Sequence, residues 1–418
     1  MGNLFSQPQP ERTIGVVIPA DFRGIPIEFQ TKNAGICNRF VAPWGAFIKP
    51  SILSLLRWKF WTENRSNIPW NKPEEIDKVH PVHKIDKENI YNLQEGKLQV
   101  TWIGHATMLL QFDGANILAD PVFSEYSGPF WRFGYKRYRP PACTTKDLPQ
   151  IDAVIISHNH FDHLDTGSVK DIVKYSPDAV WFVAKGMKSW LTKRGCRNVV
   201  ELDWWDGREV EINGHQFRFF CTPTQHWCQR GLIDFNKALW CGWIVEGAKY
   251  KFYFAGDTGY QDRLFKRIGE KYGPFDIAAI PIGAYDPRFV LKYQHVEPKE
   301  AVSIHQDIKS KCSVGMHWGT FHTMACEYYL EPPQKVEEAM LKKKLDPKSF
   351  FSLCIGETWV VGEDRDYDPP FMERGKVRKA SLNDEPKDTG TKHSDSQKDE
   401  IAEILIESGT SLSDKKNK

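Results

Sequence analysis

Residues Ser157-His158-Asn159-His160-Phe161-Asp162-His163-Leu164-Asp165 place three imidazoles and two carboxylates in one short stretch. An apolar run, Ala153-Val154-Ile155-Ile156, leads into it and reads as a buried strand, so the donors sit where a strand gives way to a loop. Imidazole nitrogens and carboxylate oxygens are ligands for zinc and other divalent metals. The His-x-His-x-Asp-His pattern of His158, His160, Asp162 and His163 crowds in more donors than one zinc ion uses. It predicts a two-metal site completed from later in the chain. Lone histidines are commonly satisfied core or surface groups; four donors directly after a buried strand are not accounted for that way.

The same placement recurs downstream. The alternating run Gln216 to Cys221 ends at Thr222-Pro223-Thr224-Gln225-His226. By itself His226 reads equally as a structural group. Lys251 to Ala255 ends in Gly256-Asp257-Thr258-Gly259, where Asp257 suits either an ion or a plain turn. Ser313 to Gly319 carries His317 near its end. Strand ends in a sheet-based fold converge on one edge, where sites assemble. Together His158, His160, Asp162, His163, His226, Asp257 and His317 supply about the donors two zinc ions need, one carboxylate bridging. Asp120, after the apolar Asn116 to Ala119, suits a residue that orients the ligand loop from behind, or a turn before Pro121. His105, between Gly104 and Ala106, reads as structural.

Positioning these residues takes strands at Leu98–Ile103, Met108–Phe112, Ala179–Ala184, Asn198–Leu202, Leu239–Val245 and Ile277–Pro281. Helices are expected from Gly167 to Tyr175, from Lys185 to Arg194 and from Pro298 to about Ile308. The formal net charge of +2 gives no electrostatic case for nucleic acid. The 15 tryptophans suit a large core with an apolar cleft or a membrane-facing surface. Nine scattered cysteines, odd in number and without a Cys-x-x-Cys pair, argue against a disulfide scaffold and for a reducing compartment. No signal peptide and no long apolar span are visible, which points to an intracellular chain peripheral to membranes on their cytosolic face.

Met1-Gly2-Asn3-Leu4-Phe5-Ser6 fits the N-myristoylation pattern at Gly2, though an ordinary terminus would read the same way. One myristoyl chain anchors only marginally. A second signal is available in Ser51 to Trp61, a short Leu- and Trp-rich helix after Pro50, which suits a membrane interface or packing on the protein's own core. The expected organisation is a flexible segment at 1–39, an extension with the interface helix at 40–97, a catalytic domain at 98–364 and a disordered polar tail at 365–418.

The ordered motifs resemble the metallo-β-lactamase superfamily and, within it, the N-acyl-phosphatidylethanolamine-hydrolysing phospholipase D family. The resemblance runs from about Phe40 to Glu363 and is carried by Val100 to Thr107, Ile156 to Asp165, Glu201 to Trp205, Gln225-His226-Trp227-Cys228, Phe254 to Tyr260, Ala279 to Tyr285, Lys292 to Val296 and His317 to Phe321. It implies an α/β fold, a four-layer αββα sandwich, and a homodimer. It assigns His158, His160 and His226 to one zinc and Asp162, His163 and His317 to the other, with Asp257 bridging. Gln294 and His295 match the family pair beside the substrate phosphate, His295 either positioning it or donating a proton. Phe161 stands where the family commonly has Tyr at the substrate, which removes a hydroxyl from that position. The implied activity is hydrolysis of N-acyl-phosphatidylethanolamine at a membrane surface, with two zinc ions per subunit activating the attacking water. The competing expectations are another hydrolase of this scaffold, a lactonase or nucleic-acid phosphodiesterase, and a non-enzymatic lipid-binding protein.

Overall fold

The structure is a computed structural model describing residues 14–18 (backbone only), 25–34, 38–44, 50–129, 132–322 and 325–364. Two sheets carry most of the strands. The first has the order Asn198–Leu202, Val180–Ala184, Ala153–Ile156, Ala115–Ala119, Thr107–Phe112, Leu98–Gly104 and Thr358–Val360. Its first four strands run parallel and the rest antiparallel. The second has the order Ile14–Ile18, Gly207–Ile212, His215–Thr222, Gly242–Glu246, Lys251–Phe254, Ile277–Pro281, Ser313–Met316 and Phe350–Phe351. Here the antiparallel part comes first and the last three pairings are parallel.

Parallel neighbours need a crossover, usually a helix. Thr166–Tyr175 supplies it between Ala153–Ile156 and Val180–Ala184. Asp262–Lys271, Pro298–Asp307 and Glu331–Lys342 supply it along the second sheet. Each helix buries one stripe: Val169 and Ile172 in the first, Leu264, Phe265 and Ile268 in the second. The sheets face each other. Phe182 stacks on Phe219 at 3.8 Å between ring centroids, and Phe112 meets Phe217 edge-on at 5.2 Å. Every residue of Leu98–Gly104, Ala153–Ile156 and Ile277–Pro281 is buried, as strands covered on both faces require. The architecture is the expected four-layer αββα sandwich.

Two expectations need correction. Residues 1–39 are not one flexible segment: Ile14–Ile18 pairs antiparallel with Gly207–Ile212, and Ile25 and Phe29 are buried in the main core. An apolar side chain there gains more from burial than a free tail would. The extension at 40–97 joins the same core through Phe40, Ile85 and Ile90. The helix expected from Lys185 to Arg194 spans only Lys188–Thr192. Gly186 sits at φ +92° against the Lys237 carbonyl, in a conformation that ends a strand rather than starting a helix. Gly2 and the tail at 365–418 lie outside the described residues.

Candidate metal centre

The donors come from both sheets. His158, His160, Asp162 and His163 follow the Ala153–Ile156 strand of the first. Asp165 closes that loop by capping the Thr166–Tyr175 helix, its carboxylate accepting from Gly167 N and Ser168 N. His226, Asp257 and His317 follow the His215–Thr222, Lys251–Phe254 and Ser313–Met316 strands of the second. All seven meet at one edge. Except for the half-buried His160, they are fully buried.

Hydrogen bonds from behind set which nitrogen each imidazole presents. His158 Nδ1–H donates to Ser157 Oγ (2.9 Å), and His226 Nδ1–H donates to the Gln294 carbonyl (3.0 Å). His163 Nδ1–H donates to Asp120 Oδ2 (2.7 Å), which also receives Ser157 Oγ (2.5 Å), while Ser157 N donates to Oδ1 (2.7 Å). Asp120 therefore orients the ligand loop, as one of its two sequence readings had it. The Nε2 atoms of all three imidazoles are left to face inward.

Inside, two donor groups lie either side of Asp257. His160 Nδ1 is 2.9 Å from His158 Nε2 and 3.2 Å from His226 Nε2. Asp162 Oδ2 is 3.5 Å from His163 Nε2 and 3.6 Å from His317 Nε2. Asp257 Oδ2 reaches both groups, 3.8 and 3.7 Å from His158 and His226 and 3.1 Å from each of His163 and His317. His163 Nε2, His317 Nε2 and Asp257 Oδ1 are buried without a hydrogen-bond partner. Imidazoles and carboxylates brought this close in a buried site are a donor set that a cation satisfies.

The electrostatics agree. Burial holds His160 down to about 4 and His226 to about 3, so these imidazoles are neutral and able to coordinate. Burial opposes a charge on His317, but Asp257 and Asp162 outweigh it and raise the imidazole to about 9. His163 is likewise raised, by Asp257, Asp162 and Asp120 against burial. Protons there balance two buried carboxylates, the charge that a divalent ion would carry in their place. The residues present fit a divalent-metal centre.

Gln294 and His295 follow the short helix Arg288–Leu291 and lie against the centre. Trp227 Nε1–H donates to Gln294 Oε1 (2.5 Å), which turns the amide NH2 away from Trp227. His295 Nδ1 is 3.9 Å from Asp257 Oδ2, and the Arg288 guanidinium holds the His295 carbonyl (2.7 Å). Phe161 is not brought to the metal donors by any contact; its half-buried ring lies under the Arg230 guanidinium at 4.1 Å.

Sequence reasoning missed several supports. His105 Nε2–H donates to Asp162 Oδ2 (3.1 Å), so its structural role is to hold a ligand. It too ends a buried strand, the signal that marked the other histidines. Arg230 Nη1 donates to the carbonyls of Asn159 (2.8 Å) and Leu164 (2.6 Å), bracketing the ligand loop. Trp44 donates to Gln225 Oε1 (3.0 Å), whose Nε2 donates to the Tyr293 carbonyl (3.1 Å).

The beta-lactamase superfamily domain profile matches residues 115–318. N-acyl-phosphatidylethanolamine-hydrolyzing phospholipase D 1 of Caenorhabditis elegans is 41% identical over 326 residues, 77% of this chain and 90% of that protein. The chain belongs to the N-acyl-phosphatidylethanolamine-hydrolysing phospholipase D family. The mitochondrial phospholipase D of that name in Saccharomyces cerevisiae is 39% identical over 57% of this chain and 50% of its own length. Among solved structures, Igni18, a metallo hydrolase of Ignicoccus hospitalis, is 22% identical with a TM-score of 0.48, covering 64% of this chain and 100% of that one. Membership in this phospholipase D family makes the chain a metallo-β-lactamase-fold hydrolase, and its His/Asp cluster fits a divalent-metal site.

Proposed function

We propose that this chain is a di-zinc phospholipase D that cleaves N-acyl-phosphatidylethanolamine into N-acylethanolamine and phosphatidic acid. The observation that carries the reading is Asp257 Oδ2, within 3.1–3.8 Å of histidines from both donor groups. His158, His160 and His226 would hold one ion; Asp162, His163 and His317 the other; Asp257 would bridge. Bound zinc supplies Lewis acidity, lowering the pKa of a water toward about 7 and offsetting charge on phosphoryl oxygens.

The chain's own residues do the rest. A water oxygen forms the new bond to phosphorus, the bond from phosphorus to the ethanolamine oxygen breaks, and that oxygen takes up a proton. Phosphatidic acid keeps the phosphate. The Gln294 NH2 group donates to a non-bridging oxygen. Burial holds His295 to about 3, so it is neutral and positions the phosphate by an N–H rather than acting as an imidazolium acid.

The lipid substrate is reached at a bilayer surface. The Ile52–Trp61 helix has no buried residue and exposes Leu53 (78%), Phe60 (61%) and Trp61 (77%). Lone exposed apolar residues are ordinary; several grouped on one helix mark a contact surface. Its Arg57 rests on the Phe289 ring at 4.5 Å, tying the helix to the segment that carries Gln294 and His295. No helix among the described residues is long and apolar enough to cross a membrane. The same proposal includes a homodimer on the cytosolic face, where the eight free cysteines of the described residues would stay reduced.

The test is turnover of N-acyl-phosphatidylethanolamine vesicles by purified full-length protein, with products read by mass spectrometry. Chelation should abolish release of N-acylethanolamine and zinc should restore it, while Asp257→Asn stays inactive with reduced metal content. Undiminished turnover by the metal-free protein or by Asp257→Asn overturns the mechanism. Turnover of a lactone or RNA with the lipid untouched overturns the substrate.

A further inference from the structure

Three consecutive side chains, Gln225, His226 and Trp227, hold the loop that carries Gln294 and His295. Gln225 Nε2 donates to the Tyr293 carbonyl (3.1 Å), His226 Nδ1–H to the Gln294 carbonyl (3.0 Å) and Trp227 Nε1–H to Gln294 Oε1 (2.5 Å). The backbone of Gln225 is fixed to the loop of Asp257 as well. Gln225 N donates to Thr258 Oγ1 (2.9 Å), and Gly259 N donates to the Gln225 carbonyl (2.8 Å). The three loops meet at Gly259, where a Cβ would stand 2.5 Å from Gln225 Nε2 and 2.8 Å from the Tyr293 carbonyl oxygen. Gln225 is buried and is not itself one of the metal donors.

The Gln225 amide is oriented by Trp44, which lies outside the 115–318 region that matches the superfamily profile. An indole N–H only donates, so Trp44 Nε1–H must meet the amide oxygen, and it does so at 3.0 Å. That leaves the NH2 group to the Tyr293 carbonyl. A flipped amide would set N–H against N–H at Trp44 and oxygen against oxygen at Tyr293. Trp44 is itself held: its ring stacks on Trp204 at 5.5 Å between centroids and meets Phe29 at 5.9 Å. The Phe29 carbonyl accepts from Trp205 Nε1 (2.7 Å), and Phe40 exchanges hydrogen bonds with Asn236 (2.9 and 3.0 Å). Phe29, Phe40 and Trp44 are thus each pinned to the body of the protein.

We propose that Gln225, its amide set by Trp44, is a positioning residue for Gln294 and His295, and through them for the substrate phosphate. The proposal rests on the reading of that pair as the phosphate contact. Gln225 fixes the carbonyl immediately before Gln294, and Trp227 fixes the Gln294 amide itself, so the Gln294 NH2 group is left one direction in which to point. A contact held within a narrow range of directions binds a phosphate better than the same group on a free loop. The hydrogen bonds run from Trp44 to Gln225 to Tyr293 without passing through a metal donor, which separates their effect from that of His226. The segment around Trp44 is therefore part of the working site, although it lies far ahead of every donor in the sequence.

The experiment titrates inorganic phosphate into the zinc-loaded full-length protein by calorimetry, with zinc content and unfolding temperature measured for each variant. Gln225→Met is close in shape and removes both side-chain hydrogen bonds. Trp44→Phe keeps a ring on Trp204 and removes only the indole N–H. Phosphate affinity should fall by about 3- to 10-fold in Gln225→Met and about 2- to 5-fold in Trp44→Phe, with zinc content unchanged. Trp44→Phe should cost nothing further in the Gln225→Met background, and neither should cost anything further in Gln294→Ala/His295→Ala, because the pair is what they act through. Losses that multiply in that background overturn the proposal. So does unchanged phosphate affinity in both variants, or zinc content that falls in step with phosphate affinity, which would make the amide a support for His226 instead. Unchanged phosphate affinity in Gln294→Ala/His295→Ala removes the reading of the pair, and the proposal with it. Weakened phosphate binding in the variants, beside absent turnover of N-acyl-phosphatidylethanolamine by the unsubstituted chain, leaves the positioning standing and removes only the lipid substrate.

Discussion

Arg230 is the residue whose removal tests how the ligand loop is held. Its guanidinium donates to the Asn159 and Leu164 carbonyls, one on each side of His160, Asp162 and His163. It also lies over Phe161 at 4.1 Å and Trp190 at 4.7 Å. Burial lowers it to about 10, so it remains charged at neutral pH. Two hydrogen bonds from a charged donor are worth about 1.5–3 kcal/mol each, and each ring contact adds about 0.5–1 kcal/mol. Against this stands the cost of burying the cation, several kcal/mol, which Arg230→Met relieves. The net loss should be about 2–3 kcal/mol, concentrated on the loop that carries four ligands. We expect zinc affinity, measured by competition with a fluorescent chelator, to fall by about 10- to 100-fold. Arg230→Lys, which keeps the charge but not the planar fork, should fall between the two. If Arg230→Met lowers the unfolding temperature while zinc affinity is unchanged, the arginine merely props Trp190 and the reasoning fails.

Other perturbations follow from the same structure. Burial holds His80 to about 3 against an ordinary 6.5, so the stability tied to its neutral form is full above pH 6.5 and lost as pH falls toward 3. That range is worth roughly 4–5 kcal/mol, and unfolding temperatures recorded between pH 6.5 and 4.5 should fall less steeply in His80→Gln than in the parent. Gly319→Ala should be severely destabilising and cost metal occupancy at His317, because φ there is +64° and the new Cβ would stand 2.5 Å from His80 Nε2; normal metal content by mass spectrometry would contradict this. Gly2→Ala should move the protein from the membrane to the soluble fraction of cells if the terminus is acylated, and unchanged fractionation removes that expectation.

Much of the centre was legible because its donors obey one local rule. Each ends or follows an apolar strand, and strand ends gather at an edge whatever the loops between them do. His158 to His163 announce themselves by density, and His226, Asp257 and His317 by position. Asp120 was half legible: the turn before Pro121 and the support of His163 use the same carboxylate. Arg230 was hidden because its partners are carbonyl oxygens, which every residue has, lying 66 and 71 positions away. Trp44 was hidden for a related reason. Its stacking on Trp204 and its bond to Gln225 join a segment read as peripheral to the floor of the site, and no periodicity reports such a contact. The apolar helix was visible, but whether it covered the core or faced water depended on its neighbours; none of its residues is buried.

The division of the donors between two sheets sets an order on biogenesis. Four arrive with the Ala153–Ile156 strand of the first sheet, and the last, His317, follows the Ser313–Met316 strand of the second. At ~5–20 residues per second, the roughly 160 residues between His158 and His317 take about 8–30 s to synthesise. Through that interval the nascent chain displays only part of the donor set: four of the seven at first, with His226 and Asp257 added before His317 completes it. Loading with the correct ion therefore belongs to the closing of the sandwich. Whatever delays the docking of the second sheet leaves the first exposed to the wrong metal.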